Sequence, residues 1–271
     1  MSALQAYVDG IGLLGPGFDT WEQAKPVLAG AQPAAEARTR LPPAETLPAP
    51  ERRRAGMAVK AALAVGLQAI RSAAVAAAGL PTVFTSSGGD GVNCHEICAA
   101  LASSDRLISP TRFHNSVHNA PSGYWSISSA SMATSSVLCA YDGSFVAGLL
   151  EALAQVATEQ QSVLLVSYDT DYPEPLHAVR PIPDSMGVAL LLSPRAGPHS
   201  LARMALETGA AFSGRIADTM QDPVLERLRA SIPTARCLPL LQALAQIRPH
   251  PQSVHLDYLD GMRCTVEVTP C

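Results

Sequence analysis

The residues best placed to do chemistry lie in one stretch of the chain, residues 107–150. Within it, Val137 to Ala140 form a short apolar run that predicts a buried strand, and a helical pattern follows the turn at Asp142 to Ser144. A sharp strand-to-helix turn aims its residue at the unpaired N–H groups of the helix, where many α/β enzymes hold a nucleophile. Here that place holds Asp142, a poor acyl acceptor that would also serve as a helix N-cap.

Two neighbours of Asp142 offer an alternative chemistry. A free-standing acyltransferase or esterase would use Cys139 or Ser144 as nucleophile, with His114 or His118 as base. We expect Cys139 to be desolvated on its strand, with a raised pKa that makes the thiol inert. Ser144 lies outside any GxSxG motif, and no base stands near it in sequence.

His114 and His118 share one face if the segment is helical, a spacing that can ligate zinc. The positions between them supply no glutamate and no third ligand, so a hydrogen-bonded seam at a subunit interface is the favoured interpretation. We therefore expect neither a metal nor a cofactor.

Two further clusters are interpreted structurally. Cys94 and Cys98 have a CxxxC spacing, which lacks the four ligands of a zinc site, so we expect them to be core thiols. Asp169, Asp171 and Glu174 are expected to form a solvated acidic loop.

Several of these segments resemble a known family. Ser109-Pro110, the small-residue run from Ala130 to Ser135, and the strand, turn and apolar helix that follow closely resemble the thiolase-like β-ketoacyl synthases. Residues 112–121 and 123–126 (RFHNSVHNAP and GYWS) resemble more narrowly the short ketosynthase-like subunits of bacterial aryl polyene clusters. The resemblance is good over residues 1 to about 210 and poor beyond.

The resemblance implies a function. It places Asp142 where a ketosynthase carries its acyl chain on cysteine, and the family's GTGT and NSFGFGG-like motifs are absent from residues 195–271. Because decarboxylative condensation needs a thiolate and groups that stabilise the enolate, we expect a non-catalytic subunit. It would act as the chain-length factor of a type II ketosynthase heterodimer making aryl polyene, polyketide or fatty-acyl chains, and the acyl carrier protein would reach it through the partner. A purely structural pseudo-enzyme that stabilises a ketosynthase is the other alternative.

By the same resemblance, the helix before the central strand would lie at the heterodimer interface and border the tunnel for the growing chain. The candidate tunnel or interface residues are Phe113, His114, Val117, His118, Pro121 and Tyr124. For Phe113, Val117 and Tyr124, ordinary core packing is an equally good interpretation. The strand Ser135 to Ala140 would present an unpaired edge to the partner.

These residues must be positioned by a regular framework, and the patterns predict one. Strands alternate with helices, which indicates an α/β protein with a thiolase-like α/β/α/β/α layering, a single domain with an N-terminal half (1–194) and a reduced C-terminal half (195–271). Expected strands cover 3–12, 81–85, 135–140, 162–168, 186–192, 201–207 (an edge strand beside 186–192), 254–259 and 264–268. Expected helices cover 21–28, 53–77, 92–101, 224–230 and 238–247, besides the helix after Ser144, and proline prevents regular structure over residues 30–50.

Composition narrows the function classes. A net charge of −4 and a single basic run, Arg52 to Arg54, argue against nucleic-acid binding, and the run is expected to be a solvated face. No window approaches the ~18 apolar residues of a membrane span, and the first residues lack the features of a signal peptide, so we expect a cytoplasmic protein. The six cysteines are expected to be reduced and mostly buried.

Overall fold

The computed structural model describes residues 3–207, 216–259 and 262–271. Its strands are β1 (Leu4–Leu14), β2 (Thr82–Thr85), β3 (Ser135–Leu138), β4 (Val163–Asp169), β5 (Met186–Ser193), β6 (Ala202–Glu207), β7 (Gln252–Asp257) and β8 (Arg263–Pro270). Its helices are α1 (Trp21–Leu28), α2 (Ala49–Arg54), α3 (Met57–Ser72), α4 (Gly91–Ala102), α5 (Pro110–Asn115), α6 (Ala120–Ser129), α7 (Ser144–Glu159), α8 (Leu176–Val179), α9 (Pro223–Ser231) and α10 (Leu238–Ala245). Short 3-10 helices cover Tyr141–Gly143 and Pro233–Cys237.

All eight described strands form one mixed sheet in the order β3-β2-β4-β5-β1-β6-β8-β7. The pairs β3–β2 and β2–β4 are parallel and the others are antiparallel. The prediction that residues 201–207 form an edge strand beside β5 was wrong. The long strand β1 pairs with β5 along one edge and with β6 along the other, so β6 lies inside the sheet, between β1 and β8.

Helices cover both faces of the sheet. On one face, α3 packs across β1, β5 and β4, and α6 packs beside it. Close approach requires small residues on the strand, because a Cβ at Gly12 would lie 1.9 Å from the carbonyl oxygen of Val65 on α3. The predicted helix over 53–77 is shorter than expected, since α3 covers only Met57–Ser72, and the exposed run Arg52 to Arg54 ends the separate helix α2.

The other face is built on α7. Its residues Phe145, Leu149, Leu153 and Val156 are buried against the sheet at helical spacing, as predicted from the sequence. The same apolar cluster continues into α1, α10 and the inner faces of β7 and β8. Because this core joins residues from both halves of the chain, we propose a single domain with halves 1–194 and 195–271.

The environment of the cysteines corrects the sequence prediction. Cys237 and Cys264 are buried, whereas Cys94, Cys98, Cys139 and Cys271 are exposed. The thiols at 94 and 98 are therefore not core thiols, because α4 buries only Gly91 and Asn93.

In the three described ranges, no helix is both long and apolar enough to cross a membrane.

Candidate functional site

The strand-to-helix turn exists as predicted, and its backbone is unusual. The strand β3 leads through the 3-10 helix Tyr141–Gly143 directly into α7. Tyr141 has a φ of 51°, in the left-handed region that non-glycine residues avoid at a cost of ~1–3 kcal/mol. Gly143 approaches the C-terminal half so closely that a Cβ there would lie 2.4 Å from the carbonyl oxygen of Tyr258. The turn is thus held between the two halves of the chain.

Asp142 lies in this turn, but it does not cap α7. The N-cap of α7 is Gly143, with no side-chain capping bond, so the N-cap interpretation of Asp142 was wrong. Its carboxylate instead accepts hydrogen bonds from two arginines, at 2.8 Å from the Nη2 atom of Arg180 and at 2.9 Å from that of Arg236. We call this arrangement the Asp142 clamp.

The clamp is partly shielded from water. The side chains of Asp142, Arg180 and Arg236 are 30%, 18% and 27% exposed. The Arg180 guanidinium also stacks 3.6 Å above the ring of Tyr141. Desolvation lowers the pKa of Arg180, but the hydrogen bond and negative charge of Asp142 outweigh it, and the net pKa is raised. Arg180 is therefore a firmly charged partner of Asp142.

The two alternative nucleophiles have different environments. Ser144 is buried, its hydroxyl donates to the carbonyl oxygen of Tyr141 at 2.6 Å, and it accepts from the N–H of Ala140 at 3.0 Å. The Ser144 hydroxyl therefore stabilises the turn through these hydrogen bonds. Cys139 is exposed rather than desolvated, because β3 has a neighbour on one side alone in the described sheet; its Sγ lies 3.2 Å from the carbonyl oxygen of Ser87. In residues 3–207, 216–259 and 262–271, no hydrogen bond joins either group to His114 or His118.

The segment that carries the two histidines is not one helix. His114 lies in α5, which ends at Asn115, and His118 lies in the turn before α6. The break has a physical cause, since Pro121 lacks the N–H that a continuous helix would need to bond Val117. The shared helical face is thus absent, and over the described ranges no group of three or more His, Cys, Asp or Glu is arranged to hold a metal.

The six tunnel or interface candidates separate by exposure. Tyr124 and Pro121 are buried, and the Tyr124 hydroxyl donates to Asn115 at 3.1 Å. Phe113 and Val117 are 67% and 52% exposed, so core packing within the described chain does not explain them. His114 is exposed and meets the Tyr124 ring edge-on at 6.2 Å. His118 is half-buried, with its Nε2 enclosed and without a hydrogen-bond partner among the described residues.

A residue that the sequence placed in a solvated loop is instead central to the structure. Asp169 ends β4 fully buried, and its carboxylate accepts from the N–H of Ser87 at 2.9 Å and from the N–H and hydroxyl of Thr234 at 2.8 and 2.7 Å. Burial raises its pKa, although these hydrogen bonds oppose the shift. Asp169 therefore connects the end of β4 with Ser87, in the segment between β2 and α4, and with Thr234 in the C-terminal half.

The comparison with protein families decides what kind of protein this is. The family described as β-ketoacyl synthase, N-terminal domain, matches residues 20–243. The chain belongs to the β-ketoacyl synthase family. No curated protein sequence matches significantly.

Solved structures confirm the thiolase-like ketosynthase fold. One is a ketosynthase (ApeO) in complex with its chain length factor (ApeC) from Xenorhabdus doucetiae, with 22% identity, a TM-score of 0.71, and coverage of 97% of this chain and 98% of that chain. The ishigamide ketosynthase/chain length factor has 12% identity and a TM-score of 0.73 over 98% and 99%. The AntDE:AntF complex of a ketosynthase with its acyl-carrier protein has 10% identity and a TM-score of 0.74 over 100% of both chains.

In this β-ketoacyl synthase-like chain, the turn from Ala140 to Gly143 contains no thiol. The clamp partners Arg180 and Arg236 were missed by sequence reasoning. They lie 38 and 94 residues from Asp142, in segments where no pattern marks them as partners.

Proposed function

We propose that the chain is the non-catalytic chain-length factor of a type II ketosynthase heterodimer that extends an aryl polyene, polyketide or fatty-acyl chain. The observation that carries this proposal is the Asp142 clamp. A carboxylate held by two arginines stands at the turn where the family's acyl-accepting cysteine is expected.

The clamp argues against acyl transfer on chemical grounds. Covalent catalysis needs an activated nucleophile with a nearby base. Two positively charged partners draw electron density from the Asp142 carboxylate, and each occupies one acceptor site on one of its two oxygens, which makes the carboxylate a weaker nucleophile. Asp142 therefore supports the turn, and the thiol chemistry belongs to the partner.

The surface supports association with a second chain. In the described sheet, β3 pairs with β2 alone, and its residues are half-buried or exposed. An open sheet edge is a template for further pairing. Several large apolar side chains are also exposed in the surrounding stretch: Leu101, Leu107, Phe113, Val117 and Met132. We propose that the catalytic ketosynthase covers this edge and these side chains.

The same geometry suggests how chain length is set. Phe113 in α5 and Val117 in the following turn are exposed, while Tyr124 and Pro121 are buried, and the Tyr124 hydroxyl bonds Asn115 at the end of α5. We propose that Phe113 and Val117 border the tunnel in the heterodimer. His114 and His118 would form the polar part of the seam.

The test is the mass spectrum of products made with a co-expressed ketosynthase. Phe113→Ala should lengthen the product and Val117→Trp should shorten it, because they enlarge and fill the same space. Val75→Trp is the matched control, since Val75 is also exposed and lies after α3, outside the stretch from Leu101 to Met132. Failure to form a stable complex would refute the heterodimer. If the complex assembles but its products are unchanged, the result would favour the alternative in which the chain is a structural pseudo-enzyme that only stabilises the ketosynthase.

One observation keeps an enzymatic alternative open to experiment. Cys139 is exposed, so its thiol can reach an activated thioester. An acyltransferase would show a burst of acylation on the isolated chain that Cys139→Ser abolishes. The proposed function predicts no burst.

A further inference from the structure

A pair of thiols remains outside the site described above. Cys94 and Cys98 are both exposed on α4, four residues apart. That spacing places them one above the other on one helical face, with ~6 Å of axial rise between their backbones. Residues four apart on a helix are neighbours on its surface. The two accessible thiols are thus neighbours on one exposed face of α4.

The number of ligands selects the class of metal. A structural zinc site needs four ligands, and no third His, Cys, Asp or Glu joins the pair in the parts of the chain that the structure describes. Soft thiolate ligands favour Cu(I). Since Cu(I) accepts linear coordination by two sulfur atoms, the pair satisfies it without further protein ligands.

We propose that Cys94 and Cys98 form a two-coordinate thiolate site for a soft monovalent cation of the Cu(I) type. On binding, both S–H bonds break, two S–Cu bonds form and two protons leave to solvent. The copper stays Cu(I) throughout, so no oxidant or reductant is needed. Cys98 lies three residues before Leu101 on α4, a side chain that our proposed function places under the ketosynthase, so the site is proposed for the chain without that partner.

The experiment is anaerobic competition for Cu(I) between the full chain and a chromophoric copper chelator in excess. The chain should retain one equivalent of Cu(I) and release about two protons for each copper bound. Cys94→Ser and Cys98→Ser should each abolish that equivalent, because a single thiol cannot complete the site. Circular dichroism checks that both variants fold.

The matched controls are Cys139→Ser and Cys271→Ser, which remove the other exposed thiols. Both should keep the equivalent. The proposal is overturned if either variant of the pair retains the copper, or if a control loses it, because binding would then lie at a lone thiol. Retention of Zn(II) as tight as that of Cu(I) would also overturn it.

Discussion

Removal of the Asp142 carboxylate tests the clamp directly. Hydrogen bonds to charged groups contribute ~1.5–3 kcal/mol each, whereas exposed ion pairs contribute ~0–1 kcal/mol. The three clamp side chains are 18–30% exposed, so we take about 1 kcal/mol for each of the two contacts. Leaving the charge of Arg180 partly buried and unpaired adds about 1 kcal/mol. Asp142→Ala should therefore lower the free energy of unfolding by about 2–3 kcal/mol.

The assay is denaturant unfolding combined with double-mutant cycles. Arg180→Ala and Arg236→Ala should each show a coupling energy with Asp142→Ala of about 1 kcal/mol or more, because each shares a direct contact with it. Glu36→Ala, which removes an exposed ion pair with Arg227, is the control and should cost less than about 0.5 kcal/mol. The clamp would be refuted if Asp142→Ala lowered the free energy of unfolding by no more than the Glu36→Ala control does and showed no coupling with either arginine.

Three further predictions follow from single contacts. Gly12→Ala should destabilise the chain by about 1–3 kcal/mol in thermal unfolding, because the added Cβ forces β1 away from α3. The control is Gly123→Ala, where a Cβ meets nothing within 4 Å, so this variant should be neutral or stabilising. Equal effects of the two substitutions would contradict the packing of α3 on β1. Burial raises the pKa of Asp169 above its ordinary 3.8, so the folded chain binds that proton more tightly than the unfolded chain does. The contribution of Asp169 to stability therefore falls as pH rises from about 3.8 through its folded pKa. Asp169→Asn should remove this dependence from the free energy of unfolding measured against pH, and identical curves for both proteins would contradict the prediction. Alkylation of Cys139, beside the β3 edge, should slow when the ketosynthase binds while Cys271 keeps reacting; equal rates would place the partner elsewhere.

Local patterns predicted the framework well and the site poorly. The strands and most helices follow from apolar periodicity bounded by glycine and proline, which is local information. The burial of Cys139 was mispredicted because a strand's exposure depends on how many neighbours it has in the sheet. The break between His114 and His118 did have a local signal, since Pro121 prevents a continuous helix. The clamp had none, because its partners are brought together only by the tertiary fold.

The strained backbone at Tyr141 bears on the role of the strand-to-helix turn. A left-handed tyrosine persists only where surrounding contacts over-determine it. Here Arg180 supplies such contacts twice, through its stack on Tyr141 and its bond to Asp142, while Arg236 ties the same carboxylate to the C-terminal half. In our proposal, the turn that positions a nucleophile in a ketosynthase has become a structural junction. In the same proposal, that junction holds α7 and the edge strand β3 in place for the catalytic partner, although the turn itself carries no thiol.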